Sequence, residues 1–204
     1  DIVERTIAHP DDTGWIEPYL GTAPMHSMVA LSDGRAGLAI LTEGLFEYEV
    51  FDDDRRAIAL SLLRSFPIKL QVSEEKKEVL PDTGVQCPGP QSFRYAILPF
   101  AGGVVEGGVL PAAQRFVNPP RVIQVAAGPG QLPREFSLLR VEGQGLVVTA
   151  VKRCEKSDEL LVRLFNSDTR TRTGRLTFGC RVASVRTAEL DESVIGELAI
   201  RDNG

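Results

Sequence analysis

Phe46-Glu47-Tyr48-Glu49-Val50-Phe51 is the stretch that decides the fold class. Phe46, Tyr48 and Val50 point one way and Glu47 and Glu49 the other, the period-2 signature of a half-buried strand. The acidic run Asp52-Asp53-Asp54 closes it as a turn. Upstream, Met25 to Leu31 ends in the turn sequence Ser32-Asp33-Gly34, and Gly37 to Leu41 follows. Downstream, Ile58 to Leu63 is the next apolar run. Short strands in series, joined by turns of this kind, predict antiparallel β structure.

The same punctuation continues to the end of the chain. Strands are expected at Phe93–Phe100, with Phe93, Tyr95 and Ile97 on one face, and at Val122–Val125. Further strands are expected at Phe136–Val141, Leu146–Lys152, Leu160–Phe165, Arg175–Phe178, Val182–Leu190 and Glu197–Arg201. Leu146–Lys152 is apolar on both faces, which predicts burial between layers. Val109–Phe116 is expected to hold a short helical turn. Residues 67–90, with Pro67, Pro81, Pro88, Pro90 and the patch Glu74-Glu75-Lys76-Lys77-Glu78, read as a long surface loop. The pattern predicts an all-β fold, a large antiparallel β-sandwich. Residues 1–129 hold the first strands and the long loop. Residues 130–204 hold the remaining strands, as a second sheet or a small β subdomain.

Composition narrows the function. Among 204 residues, 43% are hydrophobic, enough for a sizeable core. A net charge of −5, from 23 basic and 28 acidic residues, leaves no electrostatic footprint for nucleic acid or an anionic membrane. No apolar run approaches the roughly 18 residues that would span a bilayer. Three cysteines, Cys87, Cys154 and Cys180, are too few and too scattered for a disulfide framework and fit a reducing, cytoplasmic setting. The first residue, Asp1, reads as a cloning or proteolytic boundary, so that functional residues are expected to lie outside the chain.

Five stretches, in order, carry a resemblance. Trp15-Ile16-Glu17 comes first. Gly37-Leu38-Ala39-Ile40-Leu41-Thr42-Glu43-Gly44-Leu45-Phe46-Glu47-Tyr48-Glu49-Val50 follows, then Ile58 to Ser65 (IALSLLRS), Gln86 to Ala96 (QCPGPQSFRYA) and Leu146 to Asn166 (LVVTAVKRCEKSDELLVRLFN). Together they resemble the C-terminal β region of glycoside hydrolase family 38, of the bacterial α-mannosidase or mannosylglycerate hydrolase type. The resemblance implies a galactose-mutarotase-like super-sandwich. It also implies a retaining α-mannosidase whose zinc, Asp nucleophile and second carboxylate lie in an N-terminal domain upstream of residue 1, followed by a helical region. The expected partners are that catalytic domain, the helical region and, through the parent, a mannose-containing substrate. The fragment itself is expected to be inert, an accessory domain with no catalytic, cofactor-binding or metal residue. The competing reading is a stand-alone carbohydrate-binding or interaction module.

Several residues invite other roles. His9-Pro10-Asp11-Asp12-Thr13-Gly14-Trp15 echoes the family's metal-holding string, but zinc needs three or four converging ligands, and His26 is the one other histidine. The string is expected to be a polar lead-in. Glu47 and Glu49, roughly 6.5–7 Å apart at the backbone, are close to the separation a retaining glycosidase needs, yet strand alternation alone accounts for them as solvent-facing. Asp52-Asp53-Asp54 lacks the Gly and distal Glu of a calcium loop. Arg170, Arg172 and Arg175 suggest phosphate, but no aromatic platform accompanies them, and a solvated hairpin is expected. Gly102-Gly103 and Gly107-Gly108 do not form a phosphate loop. Tyr48 and Tyr95 are expected in the core, and Trp15, beside Tyr19, is expected to pack. Arg64 and Arg94, at the ends of apolar strands, are expected to pair with carboxylates at a domain junction. The loop 67–90 is the expected contributor to an active-site rim.

Overall fold

The computed structural model describes residues 2–65, 86–131 and 133–201. Most of the proposed loop, residues 67–85, therefore lies outside the described residues. The chain divides into two units, Val3–Pro120 and the segment from Arg121 onward.

In the first unit, β2 (Met28–Ser32), β3 (Ala36–Glu43) and β6 (Arg94–Ala101) form an antiparallel sheet in the order β2-β3-β6. The β2–β3 turn is held by Asp33, whose Oδ1 accepts from Arg35 N at 2.8 Å and Ala36 N at 2.9 Å. A second sheet has the order β1-β4-β5, from β1 (Ala23–Pro24), β4 (Glu47–Val50) and β5 (Ile58–Leu60). One helix, α1 (Val109–Val117), starts at Gly108, where φ is 62°, and stops before Pro119-Pro120, where a helix cannot continue. Its apolar residues Val109, Ala113 and Phe116 recur at helical spacing and pack against Ala39 and Leu41 of β3. Val109, Ala39 and Ala113 have no exposed surface, so the core of this unit lies between α1 and the inner face of β2-β3-β6.

The β6 strand forms where the alternation placed it, with the opposite face inward. Ala39 pairs with Leu98 and Leu41 with Ala96. That register turns Ala96, Leu98 and Phe100 toward α1 and leaves Tyr95 and Ile97 53% and 62% exposed. Both faces of this strand are apolar, so period 2 alone does not choose between them.

Among the described residues, the second unit holds three antiparallel pairs. β7 (Leu139–Glu142) pairs with β10 (Arg175–Phe178), β8 (Leu146–Arg153) with β9 (Leu160–Asn166), and β11 (Val185–Ala188) with β12 (Val194–Leu198). The register of β8 shifts between Val148 and Ala150, a bulge that breaks the alternation. Val147 is buried and Val151 exposed, so β8 is not covered on both faces as expected. Val122–Val125 forms no strand. Val122, Ile123 and Val125 are exposed between Pro119-Pro120 and the Gly128-Pro129-Gly130 loop, with no pairing strand among the described residues.

The fold is thus mostly antiparallel β, as expected, in five sheets of two or three strands among the described residues. No helix of the described residues is long and apolar enough to cross a membrane.

Candidate functional site

The turn from β3 into β4 builds one wall of a shallow groove. Gly44 takes φ 77°, a left-handed conformation that a side chain resists. The chain then drops Leu45 into the interior, 5% exposed, and turns Phe46 outward, 63% exposed. The buried Thr42 hydroxyl donates to Leu45 O at 3.3 Å, and Met25 N donates to Phe46 O at 2.8 Å, which fixes the turn on both sides. Glu47 follows. Its Oε1 accepts from Ser61 Oγ at 2.5 Å and Arg64 Nε at 3.2 Å, and its Oε2 lies 2.6 Å from Arg64 Nη2. The Ser61 hydroxyl first, then Arg64, hold this carboxyl below its ordinary pKa. Ser61 N donates to Glu47 O at 3.1 Å, so backbone and side chains tie the same two segments. Gly44, Phe46, Glu47, Ser61, Leu63 and Arg64 line a groove of about 290 Å3.

Glu47 is therefore not the solvent-facing glutamate the alternation suggested. Its side chain is 26% exposed, because Ser61 and Arg64, brought in by β5, cover it. Glu49 goes elsewhere: its Oε1 would stand 2.5 Å from a Cβ built on Gly21. The two carboxylates are drawn to different neighbours.

The other candidates are occupied locally. Asp11 Oδ1 accepts from Thr13 N at 3.0 Å, Asp12 Oδ2 from Tyr19 N at 2.9 Å, and the His9 ring meets Tyr19 edge-on at 5.0 Å. These donors do not fit a zinc site, and among the described residues no three His, Cys, Asp or Glu side chains converge. Trp15 is 56% exposed instead of packed, because residues 2–22 form no strand or helix that covers it. In the acidic turn, Asp53 holds Arg55 at 2.7 Å and Asp52 holds Arg56. Gly102 and Gly108 shape the entry to α1, with Gly102 N donating to Arg35 O at 2.8 Å.

Arg170 and Arg172 both bind Asp168, whose side chain is only 6% exposed. The Arg170 backbone N–H, followed by the two guanidiniums, holds this carboxyl well below the usual carboxylate range. The stretch is a crossover loop from β9 to β10 in a different sheet, not a hairpin. Arg64 and Arg94 each pair with a carboxylate. Arg94 Nη1 lies 2.5 Å from Glu43 Oε2, and its guanidinium sits 4.3 Å over the Phe116 ring. Sequence reasoning anticipated a carboxylate partner for each arginine, but at a domain junction, whereas Glu47 and Glu43 both lie within the same unit as the arginines. It did not find the groove, whose two walls are 14 and 17 residues apart in sequence.

Residues 145–203 match the family model described as the glycosyl hydrolases family 38 C-terminal beta sandwich domain. Over 167 residues the chain is 35% identical to a putative mannosylglycerate hydrolase of Halalkalibacterium halodurans, covering 81% of this chain and 17% of that protein. It shares its fold with an alpha-mannosidase from Enterococcus faecalis V583, with a TM-score of 0.79 and 23% identity over 97% of this chain and 22% of that one. A second Enterococcus faecalis structure, a protein in glycosyl hydrolase family 38, gives a TM-score of 0.72 at 23% identity, covering 87% and 21%. The chain spans about a fifth of the length of these relatives.

Proposed function

We propose that the chain is the accessory β region of a longer α-mannosidase-type hydrolase, supported by the match of residues 145–203 to the family 38 C-terminal beta sandwich model, the sequence relative and the shared fold. The carrying observation is the 35% identity over 81% of this chain to one stretch of a much longer putative mannosylglycerate hydrolase. In this reading, residues outside the chain hydrolyse terminal α-mannosyl linkages with retention of configuration. Zinc, where the parent uses it, is held by those residues too, since His9, Asp11 and Asp12 are engaged with their own loop.

The role of the chain is to brace the catalytic domain. Two-stranded pairs are marginal on their own in water, and the described sheets of the second unit are all of this kind. Ile16, Val122, Ile123 and Leu190 are 103%, 93%, 80% and 86% exposed, apolar surface that fits burial against more of the parent. The five sheets would then be parts of a large super-sandwich completed by the rest of the protein, and the parent would work in the cytoplasm, where Cys87, Cys154 and Cys180 stay free.

The test is hydrolysis of an aryl α-mannoside and of mannosylglycerate, with zinc, by this chain and by the longer protein that contains it. Turnover by the longer protein alone is the expected result. Turnover by this chain would overturn the accessory role.

A further inference from the structure

We propose that the groove between the β3–β4 turn and the end of β5 binds one neutral pyranose, with the Arg64–Glu47 pair as its polar handle and Phe46 as its apolar wall. That the sugar is an α-mannoside rests on the function proposed above; that it is a neutral sugar rests on the groove.

Size comes first. At about 290 Å3 the groove stands at the lower end of small-ligand sites, which hold roughly 300 Å3 and more. That volume has room for one ring.

Charge comes next. Arg64 spends Nε and Nη2 on Glu47, and its Nη1 has no partner among the described residues. Glu47 Oε1 takes two donors, whereas Oε2 takes Arg64 alone. The groove therefore presents a spare donor beside a spare acceptor, with no net charge. An anion would meet the Glu47 carboxylate and a cation the Arg64 guanidinium. A hydroxyl both donates and accepts, so two neighbouring hydroxyls satisfy the pair together.

The walls fit the rest of a sugar. Phe46, Leu62 and Leu63 are 63%, 44% and 47% exposed, so apolar surface lies open beside the ion pair. The C–H face of a pyranose is apolar and packs on such a surface. The site is also preorganised. Leu45 anchors the turn, and Ser61 ties Glu47 through both backbone and hydroxyl, so little ordering remains to be done on binding.

The experiment is a titration of this chain with methyl α-D-mannopyranoside, followed by amide nuclear magnetic resonance. The expected result is shifts confined to residues 44–47 and 61–64 that saturate with a Kd of about 1–10 mM, a weak single-ring affinity. Phe46→Ala and Arg64→Lys should each weaken binding by about fivefold or more, since each removes one wall or one bidentate geometry. Arg55→Ala, on the exposed acidic turn, should leave it unchanged. Glu47→Gln keeps the size and removes the charge, and should weaken binding while the thermal midpoint of each variant confirms folding. Absence of shifts at about 100 mM sugar, far above that range, overturns the proposal. So does tighter binding of glucuronate than of the mannoside, or an undiminished response in Phe46→Ala. The titration reads no hydrolysis. A silent groove in a chain whose longer form cleaves mannosides fails this proposal alone, and binding in a chain whose longer form does not cleave them fails the function alone.

Discussion

The ring of Phe100 lies so close over Gly107 that a Cβ built on that glycine would stand 2.5 Å from Phe100 Cδ2. Gly37, on the other side, meets the far end of the same ring. Phe100 is clamped between strand β3 and the turn that leads into α1, and it seals the end of the core. Gly107→Ala should therefore force the ring or the turn to move, at about 1–3 kcal/mol, the usual range for overpacking. Thermal unfolding reads this. Pairing it with Phe100→Leu should recover part of the loss, whereas an unaffected midpoint in the single variant would show that the turn yields freely.

Arg94 ties three elements at once, through Glu43 on β3 and the Phe116 ring on α1. Arg94→Lys keeps the charge and loses the flat stacking surface and the fork. The pair is half-exposed, so the expected loss is only about 0.5–1 kcal/mol. Denaturant unfolding of Arg94→Lys, Phe116→Leu and the double variant should show the two effects to be non-additive.

Asp168 gathers Arg170 and Arg172 and is held well below the usual carboxylate range by the Arg170 N–H and both guanidiniums. A carboxyl whose folded pKa is depressed stabilises the fold above its unfolded value, near 3.8. That contribution is lost as pH falls from about 4 toward the lower folded value. Asp168→Asn should unfold at a lower temperature at pH 7, and its thermal midpoint should depend less on pH below about 4 than that of the parent chain. Parallel acid limbs in the two proteins would contradict this reading of the loop.

Glu192 adopts φ 69°, unusual for a non-glycine residue, and reaches β8 from the β11–β12 turn. Its Oε2 accepts from Glu155 N at 2.8 Å, and its Oε1 lies 2.7 Å from Lys152 Nζ, an ion contact without hydrogen-bond alignment. Glu192→Gly would relieve the backbone and remove the tie. Amide exchange across Val185–Leu198 should speed up, because two contacts to the β8 end are lost; slower exchange would contradict this.

Much of the β architecture was legible because it rests on local pattern. The Gly37–Val50 stretch carries β3, the Gly44 turn and β4, each with its own period and turn residue. What pattern left open was decided by distant partners. β6 is apolar on both faces, and only its pairing with β3 selects Ala96, Leu98 and Phe100 for the core. Val122–Val125 has strand-like residues and no strand to pair with among those described. At the candidate site, the carboxylate partners of Arg64 and Arg94 were foreseeable in kind, because an arginine closing an apolar strand needs one. That Glu47 would turn from solvent into a groove was not, since Ser61 and Arg64 reach it only after β5 has paired.

In the proposed function this chain braces the catalytic part of a longer α-mannosidase-type enzyme. The most direct test is the rate of aryl α-mannoside hydrolysis by that longer protein with and without residues 2–201, with the separate chain added back. The expected result is activity in the longer protein, its loss on deletion, and no activity in the chain alone. Hydrolysis by the chain alone, or full activity and stability after the deletion, would contradict it.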